Sequence, residues 1–213
     1  MTAWRSRSDR KGWLVQPLLA DEWGDDEYAA FGTLLGIPGD KVARAGSGDD
    51  YDPLKFPVIG LLARHPKLAQ AFLTFNRYLL RRGELPARLR ELVILAVAYQ
   101  HRSAFEWGQH VKMALAAGVS EDAIGRIASG SAGFEGNDQL VLAAAEELLG
   151  NGTVTGPTWN RLVAELGTHQ AIEVIFVVGA YGTTGMAFGT WGVERQPGSA
   201  ELPDPGAPRA VSD

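Results

Sequence analysis

Four side chains able to handle protons or hydrogen bonds fall within one stretch, Glu91-Leu-Val-Ile-Leu-Ala-Val-Ala-Tyr-Gln-His-Arg-Ser103-Ala-Phe-Glu106-Trp-Gly-Gln-His110. Glu106 and His110 are four apart, which on a helix puts them on one face about a turn from each other. Ser103 stands three residues before Glu106 and projects to the same side. Glu91 comes from the preceding helix. If the two helices pack side by side, the four groups meet, and that meeting point is the expected active site. An imidazole changes charge near neutral pH, so His110 suits either acid or base work. Glu106, one turn away, would fix the imidazole tautomer or move protons itself. Glu91 enters a dry environment, where burial favours a neutral carboxyl that donates a hydrogen bond. Ser103 would bind a substrate oxygen, and the free N–H groups of a helix start favour an anionic ligand.

Structural readings compete with these roles. Ser-x-x-Glu is the capping-box pattern, in which each side chain satisfies a backbone N–H at a helix start. Glu91 could instead hold a buried ion pair with an arginine. Arg88, Arg90 and Arg102 are near enough in sequence to bind a substrate carboxylate, and Arg102 is taken as the candidate. Phe105, Trp107 and Tyr181 would line an apolar pocket, although core packing is the default for aromatics. His65 precedes a proline and reads as a turn residue. His101 ends an apolar helix, where a cation suits the dipole, and His169 reads as a helix start. No second histidine stands at ligand spacing from His110, so no metal site is expected.

The elements that must position these groups are helical. Pro66 suits a first helical turn, and Leu68, Phe72, Phe75, Leu79 and Leu80 form an apolar stripe that Gly83 stops. The helix starting at Pro86 is apolar on nearly every side from Leu92 to Ala98, the mark of a buried helix. Another helix runs from Ser103 to about Ala117, Gly118 closes it, and Ser120 caps a short successor. Further helices cover Asp138 to Leu149, the segment after Thr155, and a long apolar stretch from near His169. Gly179, Gly182, Gly185 and Gly189 recur in that last helix, either to let another helix approach or as a weakness. The expected fold is all-α, with about eight helices. The expected division is an arm with a short acidic helix over 1–55, a helical domain over 56–195 and a disordered tail over 196–213. Trp4, Trp13 and Leu14 give the arm something to bury.

Composition narrows the function. The 213 residues are 46% hydrophobic with net charge −5 and no cysteine. There is no basic block, so nucleic acid is not an expected partner. Without cysteine there can be no disulfide, thiolate nucleophile or thiolate-bound metal. No apolar segment follows the basic N-terminus as in a signal peptide, and the apolar run over 171–187 is too broken to read as a membrane span. A soluble cytoplasmic protein is expected.

Several stretches together resemble the carboxymuconolactone decarboxylase family, relatives of the AhpD-type alkylhydroperoxidases. They are His65-Pro66 with Leu68-Ala-Gln-Ala-Phe, Leu85-Pro-Ala-Arg-Leu-Arg-Glu91-Leu, Phe105-Glu106-Trp107 with His110, and Ala114-Leu-Ala-Ala-Gly118-Val-Ser. The resemblance implies an AhpD-like helical bundle assembled as a homotrimer or hexamer. Peroxidase relatives carry Glu, Cys-x-x-Cys and His. Here Glu91 and His110 match the outer positions, while Ser103 and Glu106 stand at the two Cys positions. Thiol peroxidase chemistry is therefore excluded. The Phe-Glu-Trp form resembles the decarboxylase branch. It implies proton transfer on a small carboxylated lactone or similar carboxylic acid, with no cofactor and with His110, Glu106 and Glu91 as catalytic residues. Isomerisation, dehydration or hydrolysis of a ring substrate, or ligand binding without catalysis, remain the alternatives.

Overall fold

The computed structural model describes residues 12–204. Among these there are nine α-helices and no strand. The chain divides into two compact units: the first is Met1–Arg82 with Thr190–Val193, and the second is Gly83–Gly189 with Glu194–Asp213. The division falls inside the segment that sequence alone assigned to one helical domain. Trp4 of the expected arm, and 205–213 of the expected tail, lie outside the described residues.

In the first unit, α1 (Asp25–Leu35), α2 (Pro57–Leu62) and α3 (Pro66–Arg81) enclose a small aromatic core. Helix α1 starts with three carboxylates, and Glu27 accepts a hydrogen bond from Gly24 N–H at 3.0 Å. Both features satisfy the positive end of a helix. Phe31 is fully buried and packs with Phe56 and Trp23, while Ala69 and Leu73 of α3 close the same cluster. The His65 ring accepts from Leu68 N–H, so His65 caps α3 directly ahead of Pro66. Trp13 is buried, whereas Leu14 stands 77% exposed.

The second unit contains α4 (Ala87–Gln100), α5 (Ala104–Ala116), α6 (Glu121–Arg126), α7 (Gly136–Asn151), α8 (Gly156–Leu166) and, as far as Gly189, α9 (Thr168–Trp191). Helix α4 is its axis and packs on α5 and α7. Leu92, Val93, Ile94, Leu95 and Val97 have no exposed surface, as an all-round apolar helix requires. Glu173 fixes the start of α4: its buried carboxylate accepts from Glu84 N–H at 3.0 Å and Leu85 N–H at 2.7 Å. Ser120 and Thr155 cap α6 and α8. Helix α9 is long and apolar enough to cross a membrane, yet 61% of that window is buried inside the protein, as in the core helix of a soluble protein. Its glycines divide by face. Side chains at Gly182 and Gly185 would meet His101, while those at Gly179 and Gly189 would meet nothing within 4 Å. Close approach therefore explains the first pair only.

Residues 194–204, where sequence suggested the tail begins, lie along α5. The Ser199 side chain is buried against Gly108, where an added Cβ would stand 2.8 Å from Ser199 Cβ. Gln109 Nε2 donates to Gln196 Oε1 at 2.8 Å.

Candidate functional site

The turn between α4 and α5 sets the site. Ser103 N–H reaches back to the Ala98 carbonyl at 2.9 Å and Arg102 N–H to that of Tyr99 at 3.1 Å. This paired closure of a helix C-terminus places its pivot residue in the left-handed region. The pivot is Arg102, at φ 54°, and it is the only described non-glycine residue with positive φ. The region disfavours any residue with a Cβ. Arg102 is held there by donating from Nη1 to the Pro203 carbonyl at 2.8 Å, with its guanidinium 5.3 Å from the Tyr99 ring centre. It is thus engaged away from the acid–base cluster. Arg88 is engaged as well, in a bidentate pair with Asp138 of α7. The arginine that joins the cluster is Arg90.

Glu91, 1% exposed, is clasped from two sides. Arg90 Nη2 donates to its Oε1 at 3.3 Å, and the His110 Nδ1 lies 2.7 Å from its Oε2. A carboxylate beside a guanidinium accepts, so the imidazole Nδ1–H is the donor. That assignment fixes the tautomer and leaves Nε2 with a lone pair. Sequence pointed to Glu106 as the tautomer partner of His110. The structure gives that part to Glu91, nineteen residues earlier. Tyr181 of α9 stacks edge-on against His110, with ring centres 4.9 Å apart at 88°. Its phenol is held protonated well above its ordinary range, chiefly by burial and then by the negative charges of Glu91 and Glu106, with Arg90 opposing. Five residues from three helices thereby form one cluster: Arg90 and Glu91 from α4, His110 and Glu106 from α5, and Tyr181 from α9.

Ser103 and Glu106 do not form a capping box. Ser103 is the residue preceding α5, yet its side chain caps no N–H. Its Oγ and both carboxyl oxygens of Glu106 are buried without a hydrogen-bond partner. Burial raises the Glu106 pKa to about 8, with the nearby Ser103 hydroxyl acting in the opposite direction. Glu106 is therefore a protonated carboxyl at neutral pH. It points toward Gly185 of α9, where an added Cβ would lie 3.4 Å from its Oε2. Arg90 Nε is also buried without a partner. Buried polar groups are paired in the great majority of proteins, so orphans concentrated beside a held imidazole mark a place built to receive polar atoms.

The remaining predicted residues flank this cluster. Trp107 is buried and lies 6.3 Å from Tyr99, centre to centre. Phe105 is buried edge-on against Phe188 at 5.6 Å. Both are accounted for by packing. Sequence took Arg102 as the candidate among Arg88, Arg90 and Arg102, whereas the structure turns Arg102 to Pro203 and Arg88 to Asp138, partners distant in sequence, and sets Arg90 against Glu91. His101 was read only as a helix-end cation. Its placement against α9 was foreshadowed by one signal, the three-residue spacing of Gly182 and Gly185.

Comparison with family models matches residues 66–147 to the carboxymuconolactone decarboxylase family. The matched span carries Glu91, Ser103, Glu106 and His110, and ends before Tyr181. Neither the curated proteins nor the solved structures give a match.

Proposed function

We propose, on the match of residues 66–147 to the carboxymuconolactone decarboxylase family, that the chain is an acid–base lyase. Its substrate is a small carboxylated lactone or a similar cyclic or keto acid, and it needs no cofactor. The observation that carries this reading is the pairing of two unlike proton carriers in one dry cluster. His110, held by Glu91 through Nδ1, presents a basic Nε2, while Glu106 is a buried carboxyl that keeps its proton to about pH 8. Groups whose environments push their protonation apart are the acid and base of such reactions.

The steps follow from that division. His110 Nε2 takes a proton from the substrate to set up the electron sink, and Glu91 stabilises the imidazolium so formed. The bond to the carboxylate then breaks, carbon dioxide leaves, and the electron pair passes into an enolate. Glu106 protonates the carbon left behind and the His110 imidazolium returns its proton to the remaining enolate oxygen, so one proton is consumed for each carbon dioxide released, while Ser103 Oγ and Arg90 Nε are the free donors for the enolate and carboxylate oxygens. Positioned acid–base groups contribute about 10²–10⁴-fold each.

The same pair supports a second reading, isomerisation by removing a proton at one carbon and returning it at another, since neither group is specific for carbon dioxide loss. Incubation with a panel of carboxylated lactones and β-keto acids separates the two. Release of carbon dioxide supports the lyase, and a product of unchanged mass supports the isomerase. Tight binding without turnover across the panel would leave a ligand-binding protein. Assembly as a homotrimer or hexamer and a cytoplasmic location belong to the same proposal, testable by sedimentation and by fractionation.

A further inference from the structure

A buried acid that gives up its proton has to be reloaded before the next turnover. Glu106 is 3% exposed and both its carboxyl oxygens are sealed from solvent, so reloading needs a group that reaches both Glu106 and solvent. His101 meets that description. It closes α4, it is half-buried, and its side chain lies in the notch that α9 leaves by having glycines at 182 and 185. An added Cβ at Gly185 would stand 2.8 Å from His101 Cβ, 3.0 Å from its Cγ and 3.4 Å from Glu106 Oε2. At Gly182 the added atom would lie 3.6 Å from His101 Nε2. One glycine thus borders both the imidazole and the carboxyl, and a side chain there would crowd both.

Few other charges compete for the ring. From Gly182 to Gly189 α9 carries no ionisable side chain. Arg102, next in the chain, is turned to the Pro203 carbonyl and the Tyr99 ring. On α5 the titratable group facing this notch is Glu106 itself.

We propose that His101 is the proton relay of the site, taking a proton from solvent and passing it to the Glu106 carboxylate after each turnover, directly or across one solvent molecule. The step moves one proton inward per cycle and balances the one Glu106 delivers to the substrate. Imidazole is suited to this because it gains and loses a proton near neutral pH. The inference rests on the acid role given to Glu106 above.

The relay is tested on the full chain in two ways. Long-range proton–nitrogen NMR of the histidine rings is followed from pH 5 to 9 in the wild type and in Glu106→Gln. The His101 ring is expected to show a second inflection near pH 8 that Glu106→Gln abolishes, with none at exposed His169. A His101 titration blind to Glu106 overturns the relay. On a panel substrate, His101→Gln is expected to lower kcat by about tenfold or more at little change in KM, a modest share of general acid–base catalysis, and free imidazole is expected to restore it. Unchanged kcat, or a loss that imidazole does not repair, also overturns it. Turnover with a flat His101 titration sinks the relay alone, whereas intact His101–Glu106 coupling without turnover by the wild type sinks the acid–base reading on which it rests.

Discussion

Replacing Glu106 by Gln should change how stability depends on pH, by an amount the structure sets. The folded chain holds the Glu106 proton to about pH 8, whereas an unfolded glutamate releases it near its ordinary value of 4.5. Because the folded state binds this proton more tightly, its contribution is full below pH 4.5 and is lost as pH rises through 8. Across that window stability falls by about 1.4 kcal/mol per pH unit from this group alone. The accumulated loss is about 3 kcal/mol at pH 7 and about 5 kcal/mol above pH 8 on the same linkage. Glutamine has nearly the same shape and no charge to release, so Glu106→Gln removes the slope. Its buried amide adds an offset of about 1–3 kcal/mol, which does not vary with pH. The readout is therefore the slope of the difference, from urea unfolding at pH 5, 6, 7, 8 and 9. The advantage of Glu106→Gln over the wild type should grow steadily to about pH 8 and then level off. Curves that stay parallel over the whole range would refute a buried, protonated Glu106.

Four further substitutions probe the surrounding structure by urea midpoint. Ser103→Ala should be neutral or slightly stabilising, since the hydroxyl is buried without a partner and caps nothing. Ser120→Ala, which removes a real cap at 3.2 Å, should cost about 1 kcal/mol. Gly108→Ala should cost about 1–3 kcal/mol by driving a methyl into Ser199, and adding Ser199→Gly should recover most of the loss. Glu173→Gln should cost about 1.5–3 kcal/mol, because a charged acceptor for the two N–H groups ahead of α4 is lost.

Local pattern made the helices legible. The unbroken apolar run from Leu92 to Ala98 marked a buried helix, and Gly83 and Gly118 marked ends where the structure also ends its helices. The spacing of Glu91, Ser103, Glu106 and His110 likewise brought attention to the right turn. Sequence could not say which carboxylate holds the imidazole, because helix-face spacing favours Glu106 while the packing of α4 on α5 decides for Glu91. Nor could it decide between a capping box and a free pair, since that depends on the rotation imposed by Arg102 in its left-handed conformation. Tyr181 and His101 reach the cluster through a helix that begins almost sixty residues after His110. The Pro- and Gly-rich composition past Gln196 suggested disorder, yet through Asp204 a few specific contacts to Gly108, Gln109 and Arg102 fix the path.

The account stands on proton transfer at His110, and the uptake of solvent deuterium is its most direct test. With a panel substrate in heavy water, the wild type should place deuterium at the carbon that loses its carboxylate. His110→Gln should slow that incorporation by about 10²-fold or more while the chain stays folded. Incorporation at the wild-type rate in His110→Gln would contradict the account.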